Sequence, residues 1–316
     1  MRIVLFGDGL WATNSLLHLQ ETKRAQVLGV VLRCAPSENS LRQTAQDLGL
    51  RIFQPENVNA HEFVQQIRSL TPDLNLSISY NQILRLPIME TARLGCVNFH
   101  AGKLPLYRGR NVINWAIING ESEIGLTAHF MDEGIDTGDI ILQHTLPIGW
   151  TDTYGDVLHR VVDYFPVFVD QAIRSLLDQD YERRPQDLMI GSYFGARMAG
   201  DEWLDWSDTS FNLHNKVRAI SRPGPGARTI LGATSIIIWR AFYDTAWARY
   251  RANAGEVVGR SPEGVLVKTG DSSLLVKEVQ VGDGPSLTPH WAIGTRLGLN
   301  AGAQLESILQ RLRTRC

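Results

Sequence analysis

Arg2-Ile3-Val4-Leu5-Phe6-Gly7-Asp8-Gly9-Leu10-Trp11-Ala12-Thr13-Asn14 reads as a buried strand, a tight glycine turn and the start of a helix. A secretory leader needs an apolar stretch of roughly 7–15 residues, and this run is interrupted by Gly7 and Asp8 well before that. The same texture continues downstream. Leu10–Gln20, Ser40–Leu48 and Ala60–Leu70 have helical spacing, while Val27–Leu32, Arg51–Phe53, Leu74–Ile78 and Gly95–Asn98 are short strand-like runs. Strands and helices in alternation predict an α/β domain, with helices on both faces of a largely parallel sheet and right-handed crossovers.

Gly125–Phe130 and Asp139–Gln143 read as two further strands, and Asp152–Leu177 as a long helix. Residues 179–206 are polar and aperiodic, and are expected to cross the first domain as a linker. After residue 207 the pattern changes. Phe211–Ile220 is helical, and Thr229–Ile230, Ser235–Arg240, Gly255–Val258, Gly264–Lys268 and Ser273–Val279 are short, turn-bounded and β-rich. Five such runs predict a small antiparallel, OB-like barrel, followed by an amphipathic helix over Ala303–Arg313. Trp203, Trp206, Trp239, Trp247 and Trp291 are expected to build barrel and interdomain cores.

Composition narrows the function classes. The 316 residues carry a net charge of −2, with 14 Lys+Arg against 11 Asp+Glu in residues 201–316. That balance excludes a generally basic, polyanion-coating surface. Three scattered cysteines, Cys34, Cys96 and Cys316, fit a reducing compartment and form neither a disulfide framework nor a Cys-based zinc site. The eight histidines show no metal-binding spacing, so no metal is expected. No run of about 18 apolar residues occurs, so no membrane span is expected, and the cytoplasm is the default location.

Gly7-Asp8-Gly9-Leu10-Trp11-Ala12 matches a loose dinucleotide fingerprint. The acidic residue required about 20 residues later is replaced by Leu32-Arg33-Cys34, and Asp8 would put a carboxylate in the phosphate cradle. A tight strand-to-helix turn is the better reading, and a nicotinamide-dependent oxidoreductase the weaker one.

The stretch that carries chemistry is Cys96-Val97-Asn98-Phe99-His100-Ala101-Gly102-Lys103-Leu104-Pro105-Leu106-Tyr107-Arg108-Gly109-Arg110-Asn111. Period two places Asn98 and His100 on one side of a strand, at the sheet edge where open α/β folds bind ligands. A second polar cluster, Met131-Asp132-Glu133-Gly134-Ile135-Asp136-Thr137-Gly138-Asp139, lies between two strands. An amide donor, an imidazole and a carboxylate suffice for acyl transfer to an amine: the amide steadies an oxyanion, the imidazole takes a proton and the carboxylate orients it. The plainer alternatives are a structural histidine and a turn aspartate.

Asn98-x-His100, the Leu104-Pro105-x-Tyr107-Arg108-Gly109 loop and Asp136-Thr137-Gly138-Asp139, in this order and spacing, resemble the N10-formyltetrahydrofolate-dependent formyltransferases. The resemblance covers roughly residues 1–190, and a fainter likeness continues to the C-terminus. It implies a Rossmann-like catalytic domain over 1–190, a linker over 191–208 and a β-rich domain over 209–316. It makes Asn98, His100 and Asp136 catalytic. It also implies N10-formyltetrahydrofolate as co-substrate, held near Tyr80, Gln82, Ile83 and Leu84 and by Glu133, Gly134 and Ile135.

The run Tyr107–Glu121 is most similar to the branch acting on nucleotide-linked 4-amino-4,6-dideoxy sugars of surface-glycan synthesis. On that likeness Lys103, Arg108 and Arg110 pair a diphosphate, Tyr107 and Asn111 line the substrate, and Tyr193 or Phe194 stacks a nucleobase. The branch acting on methionyl-tRNA shares the length and domain order. It usually carries a lysine-rich insertion where this chain has Arg33–Asn39, short and nearly neutral, and the chain has five lysines in all, which disfavours a nucleic-acid partner. An amino-acid or siderophore amine and a non-catalytic binding module remain alternatives. A twofold homodimer is expected from the prevalence of such symmetry.

Overall fold

The computed structural model describes residues 1–35, 38–249 and 251–298, so the expected helix over 303–313 lies outside the described residues. The chain divides into two compact units that interleave in sequence. One comprises Met1–Ile113, Glu123–Ile148 and Val157–Ala196; the other comprises Asn114–Ser122, Gly149–Asp156 and the chain from Arg197 onward.

In the first unit β1 (Arg2–Gly7), α1 (Gly9–Thr22), β2 (Gln26–Leu32), α2 (Ser40–Asp47), β3 (Ile52–Phe53), α3 (His61–Ser69) and β4 (Leu74–Ile78) alternate as the spacing predicts. They are followed along the chain by α4 (Leu86–Met89), β5 (Cys96–His100), β6 (Arg108–Gly109), α5 (Val112–Ile118, most of which belongs to the second unit), β7 (Glu123–Phe130), β8 (Ile140–Pro147), α6 (Tyr154–Asp178) and β9 (Tyr193–Phe194). The seven-stranded sheet has the order β3-β2-β1-β4-β5-β7-β8. It is parallel as far as β5, and β7 and β8 are antiparallel. Ile3, Val4, Leu5 and Phe6 are fully buried, because a strand covered on both faces must be apolar throughout rather than alternating. Buried residues of α6 recur at helical spacing, and its Phe165 and Phe168 meet Phe99 of β5 edge-on at 6.3 and 6.0 Å.

The turn after β1 is filled by the protein itself. Asp8 is buried and its carboxylate pairs with Arg33 at 3.1 Å, while Arg33 also donates to Ser79 O. A Cβ on Gly7 would sit 2.7 Å from Ala12 Cβ, so close helix–strand approach explains that glycine.

The stretch expected to be a linker begins as part of the first unit. Tyr193–Phe194 forms β9, a parallel pair with β6 that the aperiodic sequence conceals. In the second unit α7 (Ser210–Ala219) precedes β10 (Ala227–Leu231), β11 (Thr234–Phe242), β12 (Val257–Ser261), β13 (Gly264–Lys268) and β14 (Ser273–Val281). These strands form an antiparallel sheet ordered β10-β11-β14-β13-β12. Leu297 bridges Leu231 of β10, and Arg296 bridges Glu256 beside β12, so one short segment ties the two edges of the sheet. Trp206 and Trp239 are buried with their indole N–H groups satisfied by Thr229 Oγ1 at 2.9 Å and Gln280 Oε1 at 2.8 Å. Trp203 is 37% exposed, so it is not a core residue.

Phe165 carries the contact between α6 and β5. Phe165→Ala is expected to cost about 3–5 kcal/mol, read by chemical denaturation, because fully buried aromatics leave a cavity. A loss below about 1 kcal/mol would mean that the surrounding phenylalanines repack.

Candidate active site

Asn98 and His100 occupy alternate positions of β5 and face the same way. His129 joins them because antiparallel β7 pairs Asn98 with His129 across the strands. Asp136 comes from the loop between β7 and β8, with a left-handed backbone at φ +55°. This conformation is uncommon outside glycine and marks a position that its surroundings over-determine.

The four side chains converge. Asn98 Nδ2 donates to Asp136 Oδ1 at 3.3 Å and lies 3.2 Å from His129 Nε2. Asp136 Oδ2 accepts from the Gly109 amide at 2.9 Å and is 3.7 Å from His100 Nδ1; Asp136 Oδ1 is 3.6 Å from His129 Nε2. His129 Nδ1 meets Phe130 O at 2.8 Å, and His100 Nε2 meets Tyr107 O at 2.7 Å. A carbonyl can only accept, so each of these nitrogens carries the proton in the neutral ring. That assigns Nδ1 of His100 as the basic nitrogen, facing the Asp136 carboxylate.

The electrostatics follow from burial and pairing. Burial depresses the His100 pKa, opposed by the Asp136 charge and by Tyr107 O, which keeps the imidazole neutral near pH 7. Burial alone would raise the Asp136 carboxyl, but His100, His129 and the Gly109 N–H outweigh it and hold the group at about 2, against an ordinary 3.8. The site therefore sets an ionised carboxylate against a neutral base, a pairing suited to accepting a proton and stabilising the resulting cation.

The loop that carries Tyr107 O is shaped by polar contacts below it. Thr127 Oγ1 donates to Gly102 O at 2.7 Å, and Gln143 Nε2 donates to Leu104 O at 2.8 Å. Gly102 is compelled by close approach: a Cβ there would fall 2.4 Å from Tyr107 O and 2.5 Å from His100 Nε2. Gly109 has φ +97°, and its Cβ would meet Phe194 O at 2.2 Å.

The expected substrate and co-substrate residues are placed unevenly. Glu133, Gly134 and Ile135 are exposed beside Asp136, as expected of a rim. Arg110 and Tyr193 are exposed next to β6 and β9, and Asn111 follows with φ +53°. Arg108 is half-buried with its Nε lacking a hydrogen-bond partner within the protein. Lys103 departs from expectation: it pairs with Glu123 at the opposite end of β7 from His129, drawn there by opposite charge. Tyr107 also departs, because its ring is buried and stacked on Phe194 at 5.1 Å, and what it offers the site is its carbonyl.

Around β4, Ile83 is exposed, whereas Leu84 is a core side chain. Gln82 accepts from Val58 N at 2.9 Å and donates to Pro55 O at 3.3 Å, so its amide holds a loop. Tyr80 packs edge-on against Phe6, and burial raises its hydroxyl to about 12. Tyr80 Oη is buried without a hydrogen-bond partner within the protein. His129 is the member that sequence reasoning misses; its signal is period two with Thr127 in the strand leading to the acidic loop.

Comparison with known proteins shows which family the chain resembles. Residues 1–169 match the family model described as Formyl transferase, and residues 198–295 match Formyl transferase, C-terminal domain. The methionyl-tRNA formyltransferase of Desulforamulus reducens is 34% identical over 289 residues, covering 89% of this chain and 90% of the relative. That of Geobacter sulfurreducens is 33% identical, covering 89% of each. Among solved structures, the sugar 3N-formyl transferase WlaRD, determined in the presence of dTDP and 5-N-formyl-THF, superposes with a TM-score of 0.68 at 22% identity, covering 90% of this chain and 99% of that one. The N-formyltransferase of Helicobacter canadensis, in complex with folinic acid and dTDP-3-aminofucose, gives a TM-score of 0.68 at 22% identity, covering 87% and 98%. At that identity the likeness establishes the fold.

Two predictions test the site. If His100 acts as a general base, Gly102→Ala is expected to lower turnover at least about tenfold while the protein stays folded, since its steric displacement would forfeit part of a ~10²–10⁴ contribution; unchanged kcat would show that the loop yields. Asp136 has a depressed folded pKa, so its stabilising contribution is present above the ordinary 3.8 and is lost as pH falls through about 2. Asp136→Asn should flatten the acid-denaturation curve in that window, measured by circular dichroism.

Proposed function

The chain belongs to the formyl transferase family, and from that premise we propose that it moves the formyl group of N10-formyltetrahydrofolate onto the primary amine of a nucleotide-linked amino sugar. The observation that carries the chemistry is the convergence of Asn98, His100 and Asp136, with the His100 base nitrogen turned toward an ionised carboxylate. Bound N10-formyltetrahydrofolate supplies an activated formyl carbon and a nitrogen able to leave. His100 Nδ1 takes the proton released by the attacking amine and returns it to the folate nitrogen as that nitrogen's bond to the formyl carbon breaks. Asp136 stabilises the imidazolium that results and keeps the ring aligned. Asn98 Nδ2 is the amide donor available to negative charge on the formyl oxygen, once it gives up a contact with Asp136 or His129.

The acceptor reading rests on the surroundings of β6. Arg110 and Tyr193 are exposed next to the Gly109 amide that binds Asp136, a pairing of guanidinium and phenol suited to a nucleoside diphosphate. The short, nearly neutral Arg33–Asn39 loop and the five lysines are a thin footprint for a polynucleotide. A second reading, methionyl-tRNA as acceptor, is favoured by relatives that are 32–34% identical and carry that activity in their names.

The two readings separate in one assay. The full chain is given the formyl donor with a panel of dTDP-, UDP- and GDP-linked amino sugars and, in parallel, methionyl-tRNA, and each product is weighed for one added formyl group. Turnover on a sugar nucleotide with kcat/KM at least about 100-fold above that on the tRNA is expected, a gap of about 2.7 kcal/mol; the reverse ranking establishes the tRNA reading instead. With the preferred acceptor, His100→Ala should lose about 10²–10⁴ in kcat. Near-normal turnover in a folded variant would remove His100 from the mechanism.

A further inference from the structure

Gln186 lies between the two family-matched stretches, on the segment that follows α6. Its Nε2 donates to two backbone carbonyls at once, Asp136 O at 3.0 Å and Gly138 O at 2.7 Å. One of these carbonyls is that of Asp136, whose backbone is left-handed, and the other lies two residues on, so the amide ties down the turn that leaves Asp136. Gly138 is pressed against β7, where a Cβ would lie 2.0 Å from Phe130 O, so the turn is held from one side by that contact and from the other by Gln186.

The segment around Gln186 is anchored at both ends. Arg184 and Ile140 exchange backbone hydrogen bonds of 3.0 and 2.9 Å, Ser192 Oγ accepts from Tyr107 N at 2.9 Å, and Ser192 O accepts from Arg108 N at 3.0 Å. It thus touches the two loops that supply Asp136 and the Tyr107 carbonyl. Gln186 Oε1 has no hydrogen-bond partner within the protein, so its two donated bonds are what orient the amide.

We propose that Gln186 is a positioning residue: by clamping the carbonyls of Asp136 itself and of Gly138, it holds the carboxylate between Gly109 N–H, His100 and His129, and so sets the base that receives the acceptor's proton. The inference rests on the reading of His100 and Asp136 as the proton-handling pair. The groups facing Asp136 are Asn98 and His100 from β5, His129 from β7 and the Gly109 amide from β6. Within its own loop, Asp132 is engaged by Thr137 Oγ1 at 2.6 Å and Gly134 N at 3.0 Å, and Glu133 is exposed. On the crossing segment the charged neighbours are Arg183, whose guanidinium lies over the Phe130 ring at 3.8 Å, and Arg184.

The sign of the effect follows from this set. Asp136 favours the protonated form of His100, so a carboxylate released from its pose makes His100 harder to protonate. Gln186→Met keeps the volume and removes both donors. Gln186→Glu keeps the shape and turns a carboxylate on two carbonyls. Neither should unfold the protein, because Gln186 is only partly buried.

Imidazole NMR on the full chain, without acceptor, reads the His100 titration once its signal is assigned by its loss in His100→Ala. In Gln186→Met the His100 midpoint is expected to fall by about half to one pH unit, and in Gln186→Glu by less, because the new carboxylate itself favours the protonated ring. The acid limb of kcat should move the same way, with kcat reduced at least about tenfold and the donor KM within about threefold. An unmoved midpoint in Gln186→Met overturns the proposal, whether turnover is kept or lost. Asp136→Asn is measured alongside: if it keeps turnover, the catalytic reading of Asp136 fails whatever the Gln186 variants do.

Discussion

One buried carboxylate organises the site. Asp136 draws together β5 through Asn98 and His100, β7 through His129, and β6 through the Gly109 amide. A carboxylate stripped of water is costly unless donors replace the lost solvation. Here the Gly109 and Asn98 N–H groups do so, and the group remains ionised. An ionised Asp136 then makes a neutral, buried His100 useful, because the protonated ring would otherwise have no counter-charge. The desolvation that lowers the His100 pKa and the charge that raises it are opposed within the site, and the balance leaves a base that is free to accept a proton near neutrality.

The sheet makes this convergence possible. A purely parallel sheet would present β5 and its neighbour with the same polarity. Reversing β7 lets His129 stand directly opposite Asn98, and lets the β7–β8 connection deliver Asp136 beside the pair. Asp136, Tyr107 and Asn111 all have positive φ without being glycine. Such residues persist where tertiary contacts over-determine the backbone, and the contacts at Asp136 and Tyr107 are those that join the β6–β9 ribbon and the crossing segment to the site. Glycines 102 and 109 are required for the complementary reason, that no side chain fits between the base, the loop carbonyl and β9.

Much of this is legible in the sequence, and the exceptions have physical causes. Buried strands announce themselves as short apolar runs, so β1, β2 and β4 are found within a residue or two. Asn98 and His100 are found because period two is local. His129 is not singled out, since cross-strand partners depend on register that a single chain does not display. Lys103 looks like a phosphate ligand beside Arg108 and Arg110, yet its destination is set by Glu123, twenty residues away in sequence and adjacent in space. Tyr107 carries a ring that suggests stacking on a ligand, and the fold spends that ring on Phe194. Short strands such as β6 and β9 have too few residues for any periodicity; pairing between distant segments creates them.

The first crossover shows why a motif must be weighed with its charges. Open α/β sheets bind ligands where the strand order reverses, beside β1 and β4, and the glycine turn after β1 stands there. A phosphate at that turn would need free amides and positive potential. Asp8 instead places a carboxylate among them and is neutralised by Arg33, which is itself held by Ser79 O. Separating this pair to admit an anion would leave Asp8 as a buried charge facing another negative group, a cost of several kcal/mol before any ligand contact is gained. The glycine turn is therefore closed by its own ion pair, and Asn98, His100 and Asp136 gather farther along the sheet, at β5 and β7. There the buried negative charge already has its partners in place, an arrangement suited to a protonated imidazole and not to a phosphate.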